Sequence, residues 1–167
     1  LRTLAAAGEP QVAVGAAFDL SYASLDEPAR RALRLLGLVP GTDFGLGAVA
    51  ALYDAGAEEA SALLITLAAA SLVDHHAAGR FRLHALTRLY AARRLAADEA
   101  DAASRRLFDW YLRTALAASR ILGDGAGEPD PAPTGLRTVA DALAWLDAEL
   151  DAIVALIRSA ATGGRPA

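Results

Sequence analysis

The apolar side chains of residues 72–84 alternate with a period of two, whereas the segments before them follow the helical period of 3.6. Phe81 and Leu83 alternate with two arginines, which predicts a strand with one apolar and one charged face. Gly79 precedes this strand and can adopt the positive φ that a tight turn requires. Several helices followed by a hairpin is the element order of a winged helix. The pattern therefore predicts a mainly α fold with a small β-hairpin.

Four helices are predicted before this hairpin. Ser24 and Glu27 have the spacing of a capping box, and Pro28 fits the first turn of the helix that follows them. Glu58 and Glu59 also favour a helix start, because negative side chains stabilise the positive end of the helix dipole. The four predicted helices cover residues 11–22, 28–36, 44–54 and 57–71.

A helical extension is predicted after the hairpin, with helices over about 87–97 and 100–122. Leu107, Trp110 and Tyr111 form an apolar stripe on the second of these, which we interpret as core rather than as a ligand site. The predicted domains are a winged-helix domain over 1–86, the extension over 87–122, a Pro/Gly-rich and mobile linker over 123–137, and a last helix over 138–161.

The last predicted helix carries a narrow apolar seam. Thr138 and Asp141 are spaced to cap its start. Its apolar residues repeat at spacings of three and four, which predicts docking on the 100–122 helix or on a second copy of the chain. The seam consists of Leu143, Leu146, Leu150, Ile153 and Ile157.

The composition of the 167 residues excludes several kinds of active site. The chain has no Cys and no Lys, so it offers no thiolate, no Schiff-base amine and no P-loop lysine. Its three histidines include the adjacent His75 and His76, whose side chains alternate across a strand and suit a single metal ion poorly. The acidic pairs, 98 with 101 and 147 with 151, fit solvated helix faces. We therefore expect no catalytic residue, no metal site and no enzyme activity.

The charge pattern also argues against duplex DNA as a ligand of this chain. The net charge is −4, and the 57–71 helix, which would enter the major groove in a DNA-reading winged helix, has two Glu and no Arg. The longest apolar candidate, residues 60–73, is too short to span a bilayer, so no membrane contact and a cytoplasmic location are expected. The first residue is Leu1 rather than Met, which suggests a piece of a longer protein.

A set of ordered motifs resembles the winged-helix domain of bacterial NB-ARC proteins, which belong to the STAND class of nucleotide switches. Proteins of this kind are similar to SARP-type transcriptional regulators, which join a DNA-binding head, an NB-ARC switch and TPR repeats. The resemblance covers about residues 12–160. It rests on Phe18-Asp19-Leu20-Ser21-Tyr22-x-x-Leu25, Ala29-Arg30-Arg31, Leu35-Leu36-Gly37-Leu38-x-Pro40-Gly41, Gly79-Arg80-Phe81-Arg82-Leu83-His84, Leu107-x-x-Trp110-Tyr111-Leu112 and Ala144-Trp145-Leu146-Asp147-x-Glu149.

The resemblance implies a regulatory role with one candidate site residue. The winged helix of the family packs against an upstream domain that binds ADP or ATP with magnesium, and His84 matches the histidine that contacts the β-phosphate of ADP. Ala85 stands where the family has Asp. The implied partners are the NB-ARC domain and TPR repeats of the same protein, with DNA bound only through another domain and no cofactor held by this chain alone. The alternatives are a stand-alone winged-helix DNA-binding factor and a helical protein-interaction adaptor.

Overall fold

The computed structural model describes residues 18–123 and 135–161 and shows a mainly helical chain with one small sheet. This confirms the predicted winged helix followed by a helical extension. In chain order the described elements are α1 (residues 18–24), α2 (Glu27–Leu36), β1 (Asp43–Gly45), α3 (Leu46–Tyr53), α4 (Ala57–Ala69), β2 (Asp74–Ala77), β3 (Arg80–Arg82), α5 (Ala85–Ala92), α6 (Ala97–Leu122) and α7 (Val139–Ala161).

The sheet has three antiparallel strands in the order β1-β3-β2. Gly79 makes the turn between β2 and β3 with a φ of +69°, as the hairpin prediction requires. Phe44 of β1 pairs with Phe81 of β3, and their rings stack with centroids 6.4 Å apart. The predicted hairpin is confirmed, and β1 extends it on the β3 side.

The prediction of one helix over residues 44–54 was wrong at its start. Asp43–Gly45 form β1, and α3 begins only at Leu46. A strand of three residues is too short to show a period of two, and the apolar residues after it continue smoothly into the helical pattern. Phe44 is fully buried, so pairing with β3 places its ring in the core.

The predicted capping box at Ser24 was also wrong. Asp26 is the N-cap of α2, where its Oδ1 accepts a hydrogen bond from the backbone N–H of Ala29 at 3.0 Å. Ser24 instead donates its hydroxyl to the Ser21 carbonyl within the last turn of α1. Pro28 lies in the first turn as predicted.

Two further boundaries differ from the prediction. The helix predicted over about 87–97 is Ala85–Ala92, and the helix predicted from residue 100 starts at Ala97. Residues 11–17 of the first predicted helix and residues 124–134 of the predicted linker lie outside the described part of the chain.

The main core lies where α2, α3 and α4 meet the sheet and α6. Leu107, Trp110 and Tyr111 of α6 are buried, which confirms their interpretation as core residues. The largest fully buried side chains are apolar apart from Thr114: Phe44, Leu33, Leu35, Leu36, Leu52, Leu64, Leu67, Leu107, Val39, Val49 and Thr114. Among the described residues, none of these side chains belongs to α7.

Arginines bind the carbonyl groups that helices and turns leave unpaired. Arg106 of α6 donates to the carbonyls of Ala51 and Leu52 at the end of α3, with N–O distances of 3.3 and 2.6 Å. Arg88 of α5 donates to the carbonyls of Val39 and Gly41 in the loop after α2. Burial lowers the pKa of the Arg88 guanidinium below its ordinary value. In a chain without lysine, the forked guanidinium joins elements that are distant in sequence.

The last helix, α7, packs on α6, but through a different face from the predicted seam. Leu143, Leu150 and Ile157 of that seam are more than half exposed, whereas Ile153 packs partly buried against the core. The stripe that faces α6 and the sheet is displaced by one position and consists of Ala142, Trp145, Glu149, Ala152 and Leu156. Small residues at two of these positions allow close approach, and the pairing of Glu149 described below fixes the rotation of the helix. Thr138 and Asp141 form the predicted reciprocal cap.

Candidate functional site

His84 lies at the surface, where the wing passes into α5. It occupies the N-cap position with φ −61° and ψ 147°, and its side chain makes no capping hydrogen bond. Its Nε2 is 2.7 Å from Oδ2 of Asp74 in β2, and the two side chains are 64% and 43% exposed. The fold therefore places the predicted site residue beside a carboxylate at the amino end of a helix.

This arrangement favours an anion in one respect and opposes it in another. The first backbone N–H groups of α5 receive no side-chain cap, and the positive end of the helix dipole lies there. Ala85 cannot supply an acceptor to these groups. The carboxylate of Asp74, however, already lies against the His84 imidazole. An incoming phosphate would therefore share His84 with Asp74 or displace that carboxylate.

A second polar cluster lies at the junction of the wing with α6 and α7. Arg80 of β3 donates to Asp43 Oδ1 and to Glu149 Oε1, and it also donates to the Ala148 carbonyl at 3.1 Å. The Tyr111 hydroxyl donates to the other Glu149 oxygen, Oε2, at 2.8 Å. One side chain from each of four elements, β1, β3, α6 and α7, thus meets at one point.

The electrostatics of this cluster follow from its burial. The Glu149 side chain is only 3% exposed, so its charge depends on the two donors that face it. Burial opposes the charge on Arg80, but hydrogen bonds to Asp43 and Glu149 outweigh it and raise the pKa of the guanidinium. Burial, together with the charge of Glu149 and the hydrogen bond to it, raises the pKa of Tyr111 far above its ordinary value.

An open cleft of about 1000 Å³ lies beside this cluster, between α3, α6, α7 and the wing turn. Gly47 forms part of its wall, and the Trp110 and Trp145 rings meet edge to face with centroids 6.1 Å apart. The buried Nε1 of Trp145 has no hydrogen-bond partner among the described residues. Charged groups of both signs line the cleft, so it selects neither anions nor cations by charge alone.

The surface that would face DNA in a DNA-reading winged helix is not basic. Glu58 and Glu59 of α4 are exposed, and Ile65 on the same helix is 67% exposed. Arg80, which could contact phosphate from the wing, instead points inward to Asp43 and Glu149. Arg82 is half-buried, and its Nε lacks a hydrogen-bond partner in the described part of the chain.

Residues 18–123 and 135–161 contain no group of three or more His, Cys, Asp or Glu side chains that could hold a metal ion. His75 packs edge-on against Phe81, with ring centroids 4.9 Å apart, while His76 lies 3.7 Å from Asp43. The two neighbouring histidines therefore have different partners. No helix in the described ranges is long and apolar enough to cross a bilayer.

Sequence reasoning did not identify the Arg80–Glu149 cluster. A signal for Glu149 was present: it is the one carboxylate on the stripe, spaced by three and four residues, that runs through Ala142, Trp145, Ala152 and Leu156. A charge within an apolar stripe needs a partner, because an unpaired buried charge is strongly unfavourable. Its partners are Arg80 of β3 and Tyr111 of α6, and the sequence pattern does not show that these two residues meet at α7.

Comparison with known proteins relates the chain to bacterial regulators. It is 40% identical over 168 residues to the regulatory protein AfsR of Streptomyces coelicolor. It is 39% identical over 164 residues to the regulatory protein AfsR of Streptomyces griseus. Each alignment covers 92% of this chain but only 17% of the relative. The chain matches no family model and no solved structure. The two relatives agree with the prediction of a regulatory rather than an enzymatic protein.

Proposed function

We propose that this chain is the winged-helix domain and helical extension of a larger SARP-type transcriptional regulator. In the whole protein it packs against an upstream NB-ARC domain that binds ADP or ATP with magnesium, and it controls the change between a closed and an open state. α7 leads into a TPR-like region, another domain binds the DNA, and the protein acts in the cytoplasm. Similarity to two proteins named as regulators supports this proposal along 92% of the chain.

The observation that carries the proposal is a winged helix without a basic DNA-reading surface. α4 exposes Glu58 and Glu59, and the wing arginine Arg80 is paired inside the molecule. Duplex DNA binds proteins largely through positive side chains that neutralise phosphates, and this surface lacks them. A winged helix that does not itself bind DNA has this surface available to bind a neighbouring domain of the regulator.

His84 is the residue of this chain that we propose to contact the nucleotide, at the β-phosphate of ADP. An imidazole N–H is a directed donor, and the uncapped amides at the start of α5 lie beside it. Asp74 holds the imidazole at 2.7 Å and therefore competes with the phosphate. The Asp74 carboxylate fixes His84 while the nucleotide is absent. It also lowers the binding free energy that the nucleotide gains from His84, because the contact with Asp74 is lost or shared.

The test is ADP affinity in the full-length protein. His84→Ala removes a hydrogen-bond donor to a charged group, so we expect ADP binding to weaken about tenfold and basal activity to rise. His75→Ala is the matched control, because it removes another exposed wing histidine, whose imidazole packs on Phe81. Ala85→Asp restores a possible helix cap and should strengthen the closed state. Unchanged ADP affinity in His84→Ala would remove His84 from the site.

A helical adaptor that binds another protein is the second candidate, and the exposed Leu143, Leu150 and Ile157 of α7 favour it. If the full-length protein binds no ADP, this candidate replaces the nucleotide switch. The third candidate, a stand-alone DNA-binding factor, predicts sequence-dependent and salt-dependent binding of duplex DNA by this chain. A binding titration at several salt concentrations separates it from the other two, since we expect no specific binding.

A further inference from the structure

We infer that α7 is a separable element, which a polar lock of Arg80, Glu149 and Tyr111 holds against the wing and α6. When the lock opens, α7 leaves the rest of the chain as a unit. This inference concerns the chain itself and does not depend on the nucleotide switch proposed above.

The apolar attachment of α7 is weak compared with that of the other helices. Its buried positions in the described structure are Ala142, Glu149 and Ala152, so two of the three are small. Trp145, Ile153 and Leu156 add partly buried contacts. The larger Leu143 and Leu150 point to solvent and contribute little to docking. Because hydrophobic stabilisation follows the apolar area removed from water, α7 gains less from docking than a helix of its length can.

The polar attachment, in contrast, is centred on Glu149, whose side chain is only 3% exposed. Both oxygens of Glu149 are used, one by Arg80 and the other by the Tyr111 hydroxyl. Arg80 also binds Asp43 and the Ala148 carbonyl, so it joins β1 and β3 to the helix. Among the described side chains of α7, Glu149 is the one that bonds to Arg80 and Tyr111.

A buried ion pair makes the docking of α7 cooperative. Its attraction roughly offsets the cost of removing both charges from water, so the pair adds little to net stability. A partly opened state, with Glu149 still buried and Arg80 displaced, leaves an uncompensated charge and is strongly unfavourable. Undocking that exposes both charges to water avoids this state. The lock therefore favours two positions of α7, closed or free, over intermediate ones.

The chain contains its own reporter of this motion. Trp145 on α7 lies with its ring centroid 6.1 Å from that of Trp110 and 6.3 Å from that of Tyr111, both on α6. Trp110 and Trp145 are the two tryptophans of the whole chain. Separation of α7 from α6 removes Trp145 from its aromatic neighbours and exposes the indole to water, which shifts the fluorescence emission to longer wavelength.

The experiment compares amide hydrogen exchange in the unchanged chain and in lock variants. Arg80→Gln should raise the exchange rates of α7 amides by more than about tenfold, while the amides of α2 and α4 keep their rates. Trp145 emission should shift in the same variant. Tyr111→Phe removes one hydrogen bond without changing the fold's charges, so it should give a smaller effect in the same direction. The Tyr111→Phe variant also tests the lock if the Arg80→Gln variant does not fold.

Two further variants separate a lock from a general stabilising contact. Arg80→Leu combined with Glu149→Leu removes both buried charges and should slow α7 exchange relative to either single change. Arg113→Gln breaks an exposed ion pair with Asp109 on α6, 3.7 Å apart, and should leave α7 unchanged. Equal loss of protection in α2, α4 and α7 would overturn the inference, as would α7 protection that no lock variant changes.

Discussion

The winged-helix half and α7 are held in place by different kinds of interaction. In the first, fully buried leucines such as Leu33, Leu52 and Leu64 belong to one core cluster with Phe44. In the second, small residues and one buried ion pair face the rest of the chain, while larger leucines point outward. The difference shows that helical content alone does not measure attachment. A long helix can form fully and still be the element that separates first.

Truncation of one leucine in the winged-helix half and of one in α7 tests this comparison. The first of these two changes should have the largest effect on stability. Leu64→Ala in α4 creates a cavity in a fully buried site, so we expect the free energy of unfolding to fall by about 2–5 kcal/mol. Leu150→Ala in α7 removes a side chain that is 56% exposed, so we expect a change within about 0.5 kcal/mol. Urea unfolding of the two variants measures both quantities.

The comparison fails if Leu150→Ala destabilises the chain as much as Leu64→Ala does. That result would mean that another surface covers the α7 leucines in solution. Repeating the unfolding at several protein concentrations then distinguishes a second copy of the chain from a contact within it, since only association makes the midpoint depend on concentration.

A smaller effect is expected where the winged helix touches α6, at Gly47 of α3. A Cβ built on this residue would lie 2.5 Å from Cζ2 of Trp110, closer than side chains can approach. Gly47→Ala should therefore destabilise the chain by about 1–3 kcal/mol through overpacking. At an unobstructed position inside a helix the same change usually stabilises, because Ala has the higher helix propensity.

The sign of the Gly47→Ala effect therefore decides whether α3 and α6 meet as closely as described. The control repeats the change in a Trp110→Leu background, which removes the atoms that the new Cβ would meet. Most of the cost of Gly47→Ala should disappear there. A cost that persists in the Trp110→Leu background would place its origin elsewhere.

The sequence predicted the winged-helix half better than the attachment of α7, for physical reasons. Periods of 3.6 and two are local, so α4, the hairpin and α6 could be identified from apolar spacing alone. The face of α7 depends on Arg80 and Tyr111, which are distant in sequence, and the pattern favoured the larger leucines over Ala142 and Ala152. β1 was missed because three residues carry no periodicity. His84 was identified from the resemblance, whereas its pairing with Asp74 needed the sheet register.

The smallest expected effect concerns pH and the exposed contact between α1 and α5, which contrasts with the buried lock. Burial and the hydrogen bond from its hydroxyl to Asp19, 2.7 Å long, raise the pKa of Tyr90 to about 12. The folded state thus favours the neutral phenol over the phenolate. The resulting stability is fully present below the ordinary pKa of 10.0 and is lost as the pH rises through 12.

The variant Tyr90→Phe tests this pH dependence, because it keeps the ring under Arg94 but cannot ionise. The free energy of unfolding of the unchanged chain, minus that of Tyr90→Phe, should therefore be constant below pH 9 and fall between pH 10 and 12, roughly the range that the raised pKa defines. Asp19→Asn should narrow this range, because it removes the carboxylate that accepts from Tyr90. A difference that stays constant up to pH 12 would show that Tyr90 titrates alike in the folded and unfolded chain.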